Sequence, residues 1–172
     1  YQIAGERIYT VSVLKDSEGY EVGVCNLDGS GYKRVTTIES GSIQYAGGYL
    51  FVLDGNIMYR MSPEGHDKRA ICRLDITSAA FDAEHIYYTY VGALEAGLYR
   101  MDFNGENAVR LVNDECFIVK MEGDSLYYQH EGGSKLSRYD KSTGKSTGMV
   151  YTPYEEFAID FENMLAYGAR AE

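Results

Sequence analysis

Two stretches of the chain repeat one pattern forty residues apart: IMYRMSPEGHDKRAI (57–71) and GLYRMDFNGENAVRL (97–111). Both contain Tyr-Arg-Met, and both continue into a turn in which Gly65 and Gly105 occupy the same column. A basic residue and an apolar residue follow in each copy. Self-similarity at a fixed period of this length is typical of proteins built from repeated structural units.

The repeat extends over the whole chain as short apolar and aromatic segments. The first segment of each unit is RIYTV (7–11), YLFVL (49–53), HIYYT (85–89), SLYYQ (125–129) or MLAYG (164–168). Their anchor residues are spaced by 42, 36, 40 and 39 positions, and they are Ile8, Leu50, Ile86, Leu126 and Leu165. Three further strand-like segments, separated by turns rich in Asp, Ser, Asn and Gly, complete each of the first four units.

Four short antiparallel strands in every forty residues predict an all-β fold, a β-propeller of four-stranded blades. The chain contains four full blades and two strands of a fifth, with boundaries at about 1–41, 42–77, 78–115, 116–155 and 156–172. We expect one propeller domain or segment. It either closes by pairing its terminal strands or belongs to a larger ring, in which further blades or a second chain cover the open ends.

A blade of this composition is apolar on both faces, so stacking between neighbours is what removes its surface from water. The predicted core therefore contains the same column of every repeat. From the first strand type and the connecting strand it comprises Ile8, Leu50, Phe51, Ile86, Tyr87, Leu126, Tyr127, Tyr45, Phe81, Met121 and Phe161.

Composition excludes several classes of function. The net charge of −10 argues against nucleic acid, whose phosphates require a basic surface. The three cysteines are isolated, so neither a disulfide framework nor a zinc site is expected, and we predict no metal and no cofactor. No apolar run is long enough for membrane insertion. The chain begins YQIAGERIYT, without an initiator Met or signal peptide, which suggests a processed or excised piece.

Two stretches, HIYYTYVGALEAGLYRMDFNGENAVRL (85–111) and NLDGSGYKRV (26–35), resemble the YWTD propellers of the low-density-lipoprotein-receptor family. The chain is similar along its length to bacterial propeller domains of unknown function, and more distantly to TolB-type propellers. The resemblance implies an extracytoplasmic ring of six or seven blades that binds proteins or small ligands. The signature is incomplete, because the chain has no Trp, and Tyr90 and His130 stand where the family has Asp.

Three motifs that could carry chemistry are better explained as turns or isolated residues. STGKSTG (142–148) lacks the first glycine and the following helix of a phosphate loop, and DFNGEN (102–107) lacks the closing Glu of an EF-hand. His66, His85 and His130 fall in three different blades, and no Gly-x-Ser-x-Gly elbow occurs. No catalytic residue is predicted.

The connecting strand lines the central channel of a propeller and supplies one candidate site. The residues that precede its apolar positions include Gln44, Lys120 and Asp160. Polar groups that converge in a concavity indicate a ligand site. The alternative is that Lys120 and Asp160 pair with each other or with water in a wet channel.

The sequence thus predicts a non-catalytic binding module, a rigid propeller whose loops and channel mouth meet a protein or a small ligand. Two alternatives stay open because fold does not determine function. One is a hydrolase or lyase with its site in the central channel. The other is a structural segment of a larger propeller assembly.

Overall fold

A computed structural model of the chain describes residues 1–15, 18–92, 95–133, 135–151, 156–160 and 165–169, with the side chains as far as residue 149. These residues form eighteen β-strands in five antiparallel sheets. None of them forms a helix of the length and hydrophobicity that crossing a membrane would require.

Each of the first four sheets contains four consecutive strands in chain order. The first two sheets comprise β1 (Gln2–Ala4), β2 (Arg7–Val13), β3 (Tyr20–Asn26) and β4 (Lys33–Ile38), then β5 (Gly41–Ala46), β6 (Tyr49–Asp54), β7 (Ile57–Met61) and β8 (Arg69–Arg73). The third and fourth comprise β9 (Ile76–Phe81), β10 (His85–Tyr90), β11 (Gly97–Asp102) and β12 (Val109–Val112), then β13 (Cys116–Glu122), β14 (Ser125–His130), β15 (Lys135–Asp140) and β16 (Lys145–Tyr151).

The fifth sheet pairs β17 (Glu156–Asp160) with β18 (Leu165–Ala169). The predicted series of four four-stranded units followed by two strands of a fifth is therefore confirmed.

One turn is built three times, between the third and fourth strands of the first three sheets. In each copy a backbone N–H donates to the carbonyl four residues on: Asn26 to Ser30, Ser62 to His66 and Asp102 to Glu106. The fourth residue is Gly29, Gly65 or Gly105, each with φ between 81° and 89°, where a Cβ would be strained. This shared geometry is what the repeated glycine in the sequence encodes, and it confirms that 102–107 is a turn.

The 142–148 stretch is also a hairpin. The Asp140 carboxylate accepts hydrogen bonds from the backbone of Ser142 and Thr143, and β16 begins at Lys145. The interpretation as a hairpin loop is therefore confirmed for residues 142–144, whereas residues 145–148 form the first part of β16.

Close contacts group the chain into two compact units. The first comprises Tyr1–Asp75, Phe81–Ile86 and Met101–Ala108, and the second comprises Ile76–Ala80, Tyr87–Arg100 and Val109–Glu172. The core of the first unit contains Tyr9, Val22, Val24, Ile38, Leu50, Val52 and Met61. The core of the second contains Tyr87, Leu98, Val112, Cys116, Leu126, Tyr128 and Tyr139.

Most of the predicted core is buried, and three of the exceptions lie on the first strand of their sheets. The buried residues are Leu50, Phe51, Ile86, Tyr87, Leu126 and Tyr127. Tyr45, Phe81 and Met121 are only half-buried because each lies on the first strand of its sheet, which is an edge. The prediction was wrong for Ile8, which is half-buried while its neighbour Tyr9 is buried. Phe161 lies outside the described residues.

The two faces of a sheet can be distinguished by the anchor residue. We call the face that carries Ile8, Leu50, Ile86 or Leu126 the leading face, and the opposite one the trailing face. In the first unit, Leu50 on a leading face packs into one cluster with Tyr9 on the trailing face of the first sheet, and the Tyr9 and Tyr45 rings stack 5.7 Å apart. Leading faces are thus buried by the sheet that comes before them.

The repeated turn also packs against the preceding sheet. A Cβ on Gly65 would lie 2.9 Å from the carbonyl oxygen of Val35 on β4, and one on Gly105 would lie 2.0 Å from that of Ile71 on β8. No atom of the described residues lies within 4 Å of the corresponding point on Gly29. Glycine in the second and third turns therefore serves two purposes, the left-handed backbone and the close approach of another sheet.

Alanine substitutions of Gly29 and Gly105 distinguish the two purposes experimentally. Gly29→Ala introduces only left-handed strain and should lower the free energy of unfolding by about 1 kcal/mol. Gly105→Ala adds a clash with the Ile71 carbonyl and should lower it by about 3 kcal/mol. Urea denaturation of the two variants beside the wild-type chain measures the difference. Equal losses would show that the turn does not press on the preceding sheet.

Candidate functional site

The predicted channel residues lie on the first strands of their sheets, but they do not share one register. Gln44 on β5 is opposite Phe51, and Lys120 on β13 is opposite Tyr127; both partners directly follow the anchor residue. Asp160 on β17 is instead opposite Leu165, the anchor itself. Asp160 is thus displaced by one position from the other two, and its side chain lies outside the described part of the chain.

The side chains of Gln44 and Lys120 have local partners. Gln44 is half-buried, and its Nε2 donates to the carbonyl oxygen of Tyr45 at 3.4 Å. The Lys120 Nζ lies 3.4 Å from Glu122 Oε1 on the same strand. Gln44 belongs to the first unit and Lys120 to the second. A ligand role for Gln44, Lys120 and Asp160 stays a prediction.

The same column in the first sheet has a definite structural role. Gln2 accepts a hydrogen bond from the backbone N–H of Tyr45 at 2.5 Å, and its Nε2 donates to the Tyr45 carbonyl oxygen at 3.3 Å. Because β5 is an edge strand, these backbone groups have no strand on that side. Gln2 therefore satisfies an exposed sheet edge from the sheet before it.

A second clamp of this kind occurs in the second unit. The Ser78 hydroxyl on β9 accepts the backbone N–H of Ile118 on β13 at 2.7 Å. It also lies 2.6 Å from the hydroxyl of Thr89, a fully buried side chain, which in turn lies 2.7 Å from Thr77 Oγ1. The sequence offered no signal for this network, because serine and threonine within strands are ordinary.

Removing the Ser78 hydroxyl tests the clamp. Ser78→Ala leaves the Ile118 N–H without an acceptor and takes one partner from buried Thr89, so the free energy of unfolding should fall by about 2 kcal/mol. Ser42→Ala, at an exposed position on the edge strand β5, is the matched control and should change stability by less than about 0.5 kcal/mol. Chemical denaturation compares the two. Similar losses would mean that Ser78 contributes no more than a surface serine.

A serine, a histidine and an aspartate come together in the fourth sheet, and sequence reasoning missed this cluster. His130 Nε2 lies 3.0 Å from Ser137 Oγ, and His130 Nδ1 lies 3.6 Å from Asp114 Oδ2. Burial lowers the pKa of His130, with a further contribution from Lys135, against the opposing charge of Asp114. The imidazole is therefore neutral at pH 7 and connects the two oxygens.

This order of residues matches a hydrolytic triad, but the position of the serine prevents that chemistry. Only 2% of Ser137 is exposed. It lies in the interior of β15, between Tyr128 of β14 and Gly148 of β16. A nucleophilic serine must reach a substrate carbonyl, and this one cannot. The cluster instead joins the end of β14 at His130 to the interior of β15 at Ser137 and to Asp114 in the connection before β13.

The neighbouring thiol is equally unreactive. Cys116 is buried, and burial together with Asp114 and Glu115 raises its pKa to about 12. A thiol with this pKa is protonated at neutral pH and is a poor nucleophile. Of the three free cysteines, Cys116 is buried, whereas Cys25 and Cys72 are half-buried.

The His130 pKa predicts how stability depends on pH. The folded chain holds a neutral imidazole, whereas the unfolded chain has an ordinary pKa of about 6.5. As the pH falls through 6.5, the unfolded state takes up the proton before the folded state does. The contribution of His130 to stability is therefore complete above this pH, and it is lost as the pH falls toward the lower pKa of the folded state. The fall in Tm between pH 7.5 and pH 5 should be larger for the wild type than for His130→Asn. His66→Asn, in an exposed turn, should behave as the wild type, and identical profiles for all three would contradict the assignment.

The leading face of the first sheet is the described surface that departs most from the pattern of the repeat. The anchors Leu50 and Leu126 are 0% exposed, whereas Ile8 is half-buried and Ile3, opposite it, is 58% exposed. Cys25, opposite Ile8 on β3, is half-buried, and Leu27 in the following turn is 54% exposed. No sheet of the described residues covers these side chains as the preceding sheet covers Leu50.

A cavity of about 200 Å³ lies at the first sheet, chiefly among residues that share the register of Tyr9 on the trailing face. It is lined by Arg7, Val24, Cys25, Asn26, Gly31 and Lys33. Its volume is below the range of sites for small organic ligands, about 300–1,000 Å³. This cavity is therefore too small to enclose a typical organic ligand.

Comparison with known proteins supports the fold. No family model matches the sequence, and no curated protein matches it. Among solved structures, the chain is similar to TolB from Acinetobacter baumannii, with 18% identity and a TM-score of 0.64 over 91% of this chain and 45% of that one. It is also similar to a prolyl endopeptidase, with 14% identity and a TM-score of 0.67 over 90% of this chain and 27% of that one.

A third similar structure is an oligogalacturonate lyase in complex with manganese, with 11% identity and a TM-score of 0.63. The match covers 90% of this chain and 56% of the lyase, so the chain spans about half the length of TolB and the lyase, and less of the endopeptidase. At these identities the likeness concerns fold alone. The chain is an all-β protein composed of β-propeller blades, as the sequence predicts.

Proposed function

We propose that the chain is a non-catalytic interaction module that binds a protein partner through the leading face of its first sheet. One observation carries this proposal. The anchor column is fully buried in the second, third and fourth sheets, whereas Ile8 is half-buried and both Ile3 and Leu27 are more than half exposed in the first. An apolar face that its repeat buries elsewhere is a surface suited to a partner.

Binding through this face would cost little conformational entropy. The face is carried by a four-stranded sheet whose other side is packed in the core of the first unit, so the backbone that carries its side chains is in place before binding. A preformed surface avoids most of the ordering entropy that association otherwise costs. Burial of Ile3, Ile8 and Leu27 would supply the favourable apolar term, at about 25 cal/mol for each Å² removed from water.

Charge and resemblance narrow the class of partner. The net charge of −10 disfavours nucleic acid and anionic membrane surfaces. The resemblance of 85–111 to the YWTD propellers supports a receptor-like binding role outside the cytoplasm. Binding of a small ligand in the channel by Gln44, Lys120 and Asp160 is a separate hypothesis. Substitution of Lys120 tests that hypothesis alone, because it leaves the leading face of the first sheet unchanged.

A hydrolase or lyase is the alternative class, and some proteins with similar folds are enzymes by name. The specific observation in its favour is the approach of Ser137, His130 and Asp114. Burial of Ser137 opposes it, as does the high pKa of Cys116. The interaction module is therefore the better-supported function.

The test replaces exposed apolar residues with lysine. Ile3→Lys and Leu27→Lys should reduce capture of the partner from an extract of the source organism at least about tenfold, because each places a charge in the apolar contact. Val109→Lys, at an apolar position 46% exposed on the third sheet, is the matched control and should capture as the wild type does. Quantitative mass spectrometry of the captured proteins, with thermal unfolding as a check of the fold, gives the answer. A partner retained equally by all three variants, or no partner at all, refutes the proposal.

A further inference from the structure

We infer that the occupant of this leading face is one further four-stranded blade of the same repeat, which presents an arginine to Asp28. The inference rests on the proposed function and specifies its partner. It follows from three positions of the repeated turn. The first position meets the preceding sheet in the third copy, and the second and third positions meet it in both the second and third copies. In the first copy none of the three meets a described sheet.

The first position is the second residue of the turn, counted from the residue whose backbone N–H makes the shared hydrogen bond. It is Leu27, Pro63 or Phe103 in the three copies. Phe103 packs on Phe51 of the preceding sheet with ring centroids 5.0 Å apart, and it lies against Gly47, where a Cβ would collide with its ring. Leu27 is 54% exposed instead. The side chain that inserts into the sheet before it in the third copy is therefore present, but uncovered, in the first.

The second position is the turn glycine. Gly65 and Gly105 approach the carbonyl oxygens of Val35 and Ile71 so closely that a Cβ would not fit. Gly29 has nearly the same φ, 81° against 84° for Gly105, yet open space lies where its Cβ would be. The first turn has the shape that receives a neighbouring strand, without the strand.

The third position carries an oxygen that faces a cation. Glu64 accepts a hydrogen bond from Arg7 of the preceding sheet at 3.0 Å, and Asn104 Oδ1 accepts one from Arg60 at 2.8 Å. The equivalent residue in the first turn is Asp28. The Ser30 hydroxyl and backbone N–H hold its pKa below the ordinary value, so Asp28 is anionic at neutral pH and complements an arginine.

The two arginines come from different strands of the preceding sheet, because Arg7 lies on the second strand and Arg60 on the third. The third-strand position is the one that recurs in the repeat. Arg60 lies on the third strand of its sheet, opposite Phe51, and Arg138 lies at the same register of the fourth sheet, opposite Tyr127. Arg100 precedes its turn at the equivalent position in the third copy. The first sheet has Val24 at this register, opposite Tyr9, so the arginine recurs in three of the four units. Its recurrence favours a blade of this repeat over an unrelated protein as the occupant.

The experiment supplies such a blade to the full chain. A second copy of residues 39–78, with Cys72 replaced by serine in the copy, is fused before Tyr1 so that Ser78 of the copy continues directly into β1. Ile76, Thr77 and Ser78 of the copy then extend β1 at its N-terminal end. They take the register there that the same residues have in β9. The readout is alkylation of Cys25 on the leading face by iodoacetamide, mapped by mass spectrometry.

The fused blade should slow alkylation of Cys25 at least about tenfold relative to the unfused chain, because the reagent must wait for the docked sheet to open. Arg60→Glu in the added copy should restore at least part of that reactivity, and Asp28→Lys should then slow it again by reversing both charges. Alkylation of Cys25 at the unfused rate overturns the inference. So does a rate in the unfused chain that falls with protein concentration, which would make a second copy the occupant. Loss of partner capture in the lysine variants with no protection by the fused blade would leave the proposed function standing and remove only this inference.

Discussion

The fold depends on one constraint, which the second sheet shows most fully: both of its apolar faces must be buried. A four-stranded sheet of this composition cannot shield Leu50 and Phe51 at once, since the two residues point to opposite sides. In the first unit the leading face of the second sheet is shielded by Tyr9, and its trailing face by Phe81 and Phe103. Each sheet is stable because another sheet supplies its missing half, which makes stability a property of neighbours rather than of single units.

Polar contacts between sheets have a different role from this burial. The pair formed by Arg7 and Glu64 is about half exposed on both sides, and such pairs contribute little to stability. The Gln2 and Ser78 clamps satisfy backbone groups on edge strands, which would otherwise be open to unwanted pairing. Burial of apolar surface therefore supplies the energy of stacking, while the polar side chains satisfy backbone groups at the contacts between neighbouring sheets.

Periodicity and turn chemistry were enough to predict the four-stranded units, because both depend on residues close together in the chain. The anchor column and Gly105 were visible as repeated letters, and their structural roles follow from the strand period and from positive φ. The exposure of Ile8 could not be read from its own unit, since it depends on whether another sheet stands before it. The cluster of His130, Ser137 and Asp114 was equally hidden, because strand register and not spacing brings these residues together. The displaced register of Asp160 has the same origin, a shift of one residue that pattern alone does not resolve.

The same physics connects folding and binding in this protein. The surface assigned to the partner is the surface that the second, third and fourth units bury in order to fold. Partner binding and folding therefore use the side chains of the same column of the repeat. A face used in this way has no need of a catalytic group, and the described histidine, serine and thiol side chains of the second unit are committed to strand ends and core instead. Specificity then rests on a small number of positions in one turn. Leu27, Gly29 and Asp28 would distinguish a sheet of this repeat from other apolar surfaces by shape, by close approach and by charge, respectively.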